Sequence, residues 1–302
     1  MVSASQHLDL VHLFRDRTHP LAPSPTGIEP HLPKASAPIK AVLFDVYGTL
    51  ISSGVGDISL DQSADQSDLI RKLVDQAGFE WRADFSDHNL AAEFNQEIKA
   101  DHTRTRSQGH PYPEVNILEI WTTLIEGWTE PWTGKDSIRE NIAPLAVEYE
   151  CAVNPVWPNE GFNEILHHCR EASLPLGIVS NAQFYTPIML EAFLEKSLKT
   201  AGFEAALQVW SYQERRGKPD VALYEKIGAI LESEFQIQRS QVIFVGNDML
   251  KDIWAATEAG FKGVLYAGDS RSLRLREDDE RCRDLSPYAT ISSLGQIQHL
   301  LV

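Results

Sequence analysis

Four groups of residues carry side chains suited to catalysis, each at or just after an apolar run. They are Asp45-Val-Tyr-Gly-Thr49, Ser180-Asn181, Lys218-Pro219, and Gly246-Asn-Asp248 with Asp252 one helical turn later. Asp45 suits a nucleophile, because a carboxylate is ionised at neutral pH and can form a covalent acyl intermediate. A tight turn at Gly48-Thr49 would present backbone amides to an anionic substrate. Ser180 offers a hydroxyl and Asn181 an amide, both donors to phosphoryl or carboxylate oxygens. Lys218 supplies a cation to balance nucleophile and substrate. Asp248 and Asp252 beside Asp45 would form an oxygen-rich cluster, and a hard cation such as Mg²⁺ would relieve its repulsion. Each group alone has a plainer explanation. Asp45 and Thr49 could cap a turn, Ser180-Asn181 a helix. Lys218 could be a surface lysine, and the two aspartates could be first-turn acids favoured by a helix dipole. All four in this order form the specific signal.

The elements that must position these groups are strands. Lys40-Ala-Val-Leu-Phe-Asp45 is a continuous apolar run ending in an acid, the pattern of a parallel strand covered on both faces. Similar runs are Leu174–Val179, Gln241–Val245 and Gly263–Tyr266, with a weaker one at Ala206–Trp210. Helical patterns lie between them: Pro187–Thr200 stopping at Gly202, Val221–Leu231, and Met249–Ala259 stopping at Gly260. The alternation predicts an α/β fold with a doubly wound parallel sheet. More than a hundred residues separate the first run from the second, and segments 64–78, 87–105, 113–127 and 135–149 read as helices. An insertion at a strand's carboxyl end would roof a site there. Residues 1–38 hold prolines at 20, 23, 25, 30, 33 and 38, which disfavour regular structure. They read as an extended arm, with one helical turn at Leu8–Phe14. The expected division is a Pro-rich arm at 1–38, an α/β core at 39–54 and 151–302, and a helical cap at 55–150.

Composition narrows the function. Lys+Arg number 27 against 43 Asp+Glu, for a formal charge of −16 over 302 residues. Such a chain lacks the cations to displace counterions from nucleic acid and is repelled by anionic membranes. An anionic small-molecule substrate therefore needs local cations or a metal. Cys151, Cys169 and Cys282 are odd in number and widely spaced, which supports neither a disulfide framework nor a zinc knuckle. Without a basic start followed by an apolar run, the N-terminus does not read as a secretory signal. The expected setting is cytoplasmic. The oligomeric state is left open.

The four groups in this order resemble the haloacid dehalogenase-like hydrolase superfamily, over roughly 40–55 and 172–270. That resemblance implies a Rossmann-like core with a helical cap after the first strand. It implies Asp45 as nucleophile, Ser180 binding the transferred group, Lys218 stabilising it, and Mg²⁺ held by Asp45, Asp248 and the backbone carbonyl of Tyr47. Asp252 would ligate through water or orient Lys218.

Two motifs point in different directions. Phosphatases of the superfamily carry an acid two positions after the nucleophile, where this chain has Tyr47, and a phenol with a pKa near 10 is a poor base. Tyr47 instead resembles the 2-haloacid dehalogenases, whose halide leaves without a proton. Asp248 and Asp252 resemble the metal-binding form, which dehalogenases do without. Because Tyr47 would reach the metal through its carbonyl, the fourth group takes precedence. The expectation is a Mg²⁺-dependent phosphatase of small phosphorylated metabolites. The alternatives are carbon–halide hydrolysis and a binding or scaffold protein on the same fold. A replacement proton donor would come from Glu93, Asp101, His102 or His110, and Arg104 and Arg106 would grip an anion. His167 and His168 read as surface residues, and Trp121, Trp128, Trp132 and Trp157 as packing residues.

Overall fold

The structure is a computed structural model that describes residues 4–34, 37–55, 66–83, 88–134 and 137–301. Residues 64–65, 87 and 135–136 of the expected helices, and 1–3 and 35–36 of the arm, lie outside it. The strands are β1 (Ala41–Phe44), β2 (Ile51–Ser53), β3 (Val156–Pro158), β4 (Leu176–Ser180), β5 (Phe203–Trp210), β6 (Val242–Gly246), β7 (Lys262–Tyr266) and β8 (Ala289–Ile291). Six form one sheet in the order β5-β4-β1-β6-β7-β8, every pair parallel. Alternate side chains feed two cores: Val42 and Phe44 enter one face, Ala41 and Leu43 the other. Burial on both faces is why β1 is apolar throughout rather than alternating.

The helices are α1 (Ala4–Arg17), α2 (Ser67–Gln76), α3 (Leu90–Ser107), α4 (Ile117–Trp128), α5 (Ile138–Val153), α6 (Phe162–Glu171), α7 (Tyr185–Leu194), α8 (Leu198–Ala201), α9 (Ser211–Glu214), α10 (Val221–Ser233) and α11 (Ala255–Glu258). Residues of α10 and α11 pack with Ala41 and Leu43, while α1, α5, α6 and α7 belong to the core on the opposite face. The doubly wound reading holds, with the helical cap inserted after β1. Helices α2 to α5 make up that insertion. Its two stems are β2 and β3, which pair antiparallel with Ile51 opposite Pro158. Phe94, Trp121 and Tyr149 interlock at its centre with ring centroids 4.7–5.3 Å apart.

Three differences from the expected elements have physical causes. The arm holds a 14-residue helix, α1, where one turn was expected. Leu10 and Phe14 are buried against the molecule, so tertiary packing rather than propensity sets its length. The expected helix Pro187–Thr200 is two, α7 and α8, because Glu195 adopts a left-handed φ of 55°. The expected Met249–Ala259 helix begins as a π-helical segment, Met249–Trp254, before becoming α11. Strand β8 and helix α6 were not among the expected elements.

Candidate active site

Strands β4, β1 and β6 are neighbours, and their register sets Phe44 beside Ile178 and Val245. The carboxyl ends of three strands thus bring Asp45, Ser180 and the Asn247-Asp248 pair to one edge of the sheet. Lys218 arrives from the segment that enters α10, where Asp220 caps the helix. Asp45, Lys218, Asn181, Asp248 and Asp252 line one pit of about 80 Å³.

At its floor runs a chain of charges. Lys218 Nζ lies 2.6 Å from Asp45 Oδ1 and 2.5 Å from Asp252 Oδ1, with its side chain 3% exposed. Burial works against the ammonium, yet the attraction of Asp252 and Asp45 outweighs it and raises the Lys218 pKa. Burial raises that of Asp252 against the pull of Lys218, with Asp45 and Asp248 adding repulsion. The second Asp252 oxygen accepts the Asp248 amide at 2.9 Å. Its carboxylate lies where a Cβ on Gly246 would meet it at 2.4–2.5 Å, so only glycine fits there. Ser180 Oγ donates to Asp45 Oδ1 at 2.9 Å, and Asn181 Oδ1 accepts the Lys218 amide at 2.7 Å.

The first turn behaves differently from expectation. Gly48 N donates to Ile51 O and Thr49 N to Val46 O, so both amides close the turn rather than face a substrate. Thr49 is fully buried, with its hydroxyl donating to Asn247 Oδ1 at 3.1 Å. Gly48 has a φ of 82° and sits where a Cβ would meet Asn247 at 2.6 Å. Tyr47 sends its hydroxyl to Thr186 Oγ1 at 3.0 Å, and burial pushes its pKa well above the usual phenol value.

Asp248 bears on the metal. Its Oδ1 caps the π-helical segment by accepting from Leu250 N at 2.9 Å and Lys251 N at 3.0 Å. Arg276 Nη2 donates to Oδ2 at 2.5 Å, while its Nε reaches both oxygens at 3.1 and 3.2 Å. Both carboxylate oxygens are thereby committed to other donors. Among the described residues no group of three or more His, Cys, Asp or Glu is arranged to hold a metal ion. Mg²⁺ needs several oxygens at near-octahedral positions about 2.1 Å away. The residues, as they stand, do not fit that ion.

A second, larger cavity adjoins the pit through Tyr47, Asn181 and Lys251, which line both. It holds about 310 Å³ and is walled by apolar and aromatic side chains from α3, α4, α5 and the start of α7. Glu114 and His102 are polar exceptions. Glu114 accepts from Ser211 Oγ at 2.9 Å and from Val115 N at 3.0 Å, and burial pushes its carboxyl up to about 7. Burial lowers the pKa of His102.

Of the sequence-level proton-donor candidates, His102 alone lines this cavity. Asp101 is paired with Arg215 and Arg104, Glu93 with His88 and Trp128, and His110 lines neither pocket. Arg104 and Arg106 are exposed on α3 and line neither pocket, while His167 and His168 are exposed on α6 as expected. Sequence reasoning missed Glu114, Asn247, Lys251 and Arg276. Asn247 sat inside a quoted motif, but nothing in the spacing linked Arg276 to Asp248, 28 positions away.

The family model for a haloacid dehalogenase-like hydrolase matches residues 39–260. No curated protein matches the chain. Solved structures similar to it include the L-2-haloacid dehalogenase RSc1362, at 20% identity, TM-score 0.46, and 88% coverage of this chain against 99% of that one. The L-2-haloacid dehalogenase from Xanthobacter autotrophicus is 16% identical with a TM-score of 0.46, covering 87% of this chain and 98% of that one. A HAD phosphatase from Thermococcus onnurineus is 16% identical with a TM-score of 0.49, covering 87% and 98%.

Proposed function

The chain belongs to the haloacid dehalogenase-like hydrolases, and on that premise we propose that Asp45 acts as nucleophile on a small organic anion, displacing a halide from carbon. The observation that carries this reading is the Asp45–Lys218–Asp252 chain in a pit whose other acid, Asp248, is neutralised by Arg276. The cations are the protein's own. The leaving group gets no proton from residue 47, because the Tyr47 phenol is buried on Thr186 and holds its proton. Halide needs none.

An Asp45 carboxylate oxygen would attack the carbon, the carbon–halogen bond would break, and its electron pair would leave with the halide. Lys218, paired with Asp45 Oδ1 at 2.6 Å, would offset negative charge on the nucleophile and the anionic substrate. The cavity walled by Phe94, Ile98, Val115 and Tyr149 would take the organic body. Water attacking the Asp45 ester would release the alcohol and one proton and leave a water oxygen in the carboxylate.

Phosphate-ester hydrolysis is a second reading, favoured by the basic groups Lys218, Lys251 and Arg274 lining the pit and by the Glu114 carboxyl on the adjoining cavity. Because the site does not fit magnesium, no step in either reading passes through it. The test is turnover of 2-haloacids and phosphate monoesters, each with Mg²⁺ and with EDTA, then a single turnover in H₂¹⁸O. Halide release indifferent to EDTA, with ¹⁸O entering Asp45, supports the first reading. Phosphate release with no label in Asp45 overturns it for the second. Inactivity on both panels by folded protein overturns both and leaves a binding role.

A further inference from the structure

Displacement at Asp45 occupies the pit of about 80 Å³, yet the cavity beside it holds about 310 Å³. That is the liquid volume of about ten waters, and it reaches the size, about 300 Å³ and above, at which pockets enclose whole organic ligands. The body of a short-chain haloacid would leave most of it unused. Helix geometry sets the wall. Phe94, Ile98 and His102 recur at intervals of four, which turns one face of α3 to the cavity. Trp121 of α4 and Tyr149 of α5 close on Phe94 with ring centroids 4.7 and 5.3 Å away. Such rings offer faces and edges to a further ring. Burial holds His102 toward its neutral form, so this face adds no fixed charge.

Two acids line the same cavity. Glu150 is 6% exposed, with its oxygens taken by Asn154 at 2.9 Å and Tyr185 at 2.7 Å. Glu114 is half-buried and held from both sides. Its Oε1 accepts from Val115 N at 3.0 Å and Gln183 Nε2 at 3.4 Å, and its Oε2 from Ser211 Oγ at 2.9 Å. The single Ser211 hydroxyl proton has a second acceptor in Ala182 O at 3.2 Å. A carboxylate oxygen takes two donors, so Oε2 has room for one from the cavity. Its hydrogen-bond partners are neutral, and Lys251 and Arg215 act on it from farther off. Lys251 also lines the pit, where the substrate's own anion would meet it. We infer that the substrate is an aryl-bearing organic acid, its ring seated against Phe94, Trp121 and Tyr149 and a hydroxyl or amino group on that ring donating to Glu114. The inference rests on the reading of Asp45 as nucleophile and adds the substrate class, but it is read by binding rather than turnover.

The experiment is calorimetric titration of the full chain with unhalogenated acids. The probes are propionate, 3-phenylpropionate, and 3-phenylpropionates bearing a hydroxyl or an aminomethyl group at ring position 3 or 4. The phenyl ring is expected to tighten binding over propionate at least about tenfold, and a ring donor in one of the isomers about tenfold more. The group with the larger gain identifies the donor as hydroxyl or amine. Glu114→Gln is expected to erase the donor's gain and keep the ring's, a split that a merely structural Glu114 would not produce. Ile98→Trp, which fills the cavity, is expected to erase the ring's gain. Circular dichroism establishes that each variant is folded, and the wild-type series stands without them. Equal affinity for propionate and 3-phenylpropionate overturns the inference. So does a ring donor that gains nothing in any isomer, or a gain that Glu114→Gln leaves intact. Halide release from 2-chloropropionate with no ring gain leaves the functional reading standing and sinks only this one. Ring and donor gains without halide release from the matching 2-chloro acids sink the functional reading and leave the cavity's preference in place.

Discussion

Asp45 is gripped on Oδ1 by Ser180 and Lys218, while its carboxylate opens on the pit. A nucleophile so held cannot be replaced by its amide. Asp45→Asn is expected to lower turnover by at least about a thousandfold. Stability should stay within about 1 kcal/mol of wild type, since Lys218 keeps Asp252. Measured activity above a tenth of wild type in folded protein would sink the covalent mechanism. Lys218 behaves oppositely. Lys218→Met leaves two buried carboxylates without their shared cation and is expected to cost about 3–5 kcal/mol in a urea titration. Tyr47→Phe removes a hydrogen bond to Thr186 and no proton donor. Its kcat is expected to change less than about threefold, with about 1 kcal/mol of stability lost. A kcat loss of a hundredfold would give that phenol a chemical role. The residues of this floor were legible because their types carry the chemistry at strand ends. Their partners were not. Thr49 turns to Asn247 and Asp248 to Arg276 because tertiary approach, not spacing, selects among donors.

At the scale of elements, the apolar runs announced five of the six parallel strands, because strands buried on both faces must be apolar throughout. β8, only three residues long with a half-buried Thr290 between Ala289 and Ile291, offered too little pattern. The π-helical start at Met249 and the left-handed break at Glu195 follow from local packing that periodicity does not encode. The segment leading into α4 carries the least obvious of the site's titratable groups. Burial pushes the Glu114 carboxyl up to about 7 from an ordinary 4.5. Between those values the folded chain binds more protons than the unfolded one, so Glu114 makes stability fall as pH rises from about 4.5 to 7. Above pH 7 the penalty is complete. Glu114→Gln, which cannot ionise, is therefore expected to gain on the order of 1 kcal/mol over wild type at pH 8 and little at pH 4.5. Denaturant titrations at the two pH values check it, and an equal effect at both would show that the carboxyl does not titrate between them.

At the scale of the whole molecule, the acidic chain concentrates Lys218, Lys251, Arg274 and Arg276 around one pit, a local field against a global charge of −16. The arm that composition marked as irregular takes part in holding that arrangement. Arg271 donates to Ala22 O and Ser270 N to Ser24 O, which ties the arm to the segment after β7 that bears Arg276. Ahead of it, α1 grips both sides of the cleft. Arg17 forms a two-pronged pair with Glu148 of α5, and Gln6 donates to Glu140 O of the same helix. His7 meets Glu191 of α7, and Arg15 donates to Ala192 O. Since α5 belongs to the helical insertion and α7 follows β4 of the sheet, α1 clasps one to the other beside the larger cavity. Phe14, fully buried and 6.4 Å from the Tyr185 ring, is the packing centre of the clasp. Phe14→Ala is expected to cost about 3–5 kcal/mol if the cavity cannot collapse. Removing residues 1–19 tests the clasp itself. Amide exchange is expected to speed up in α5 and α7 together while β1 and β6, paired at the centre of the sheet, keep their protection. Faster exchange in α7 alone would mean that α1 merely covers the core, and the insertion would then be held to the sheet by its β2–β3 stems.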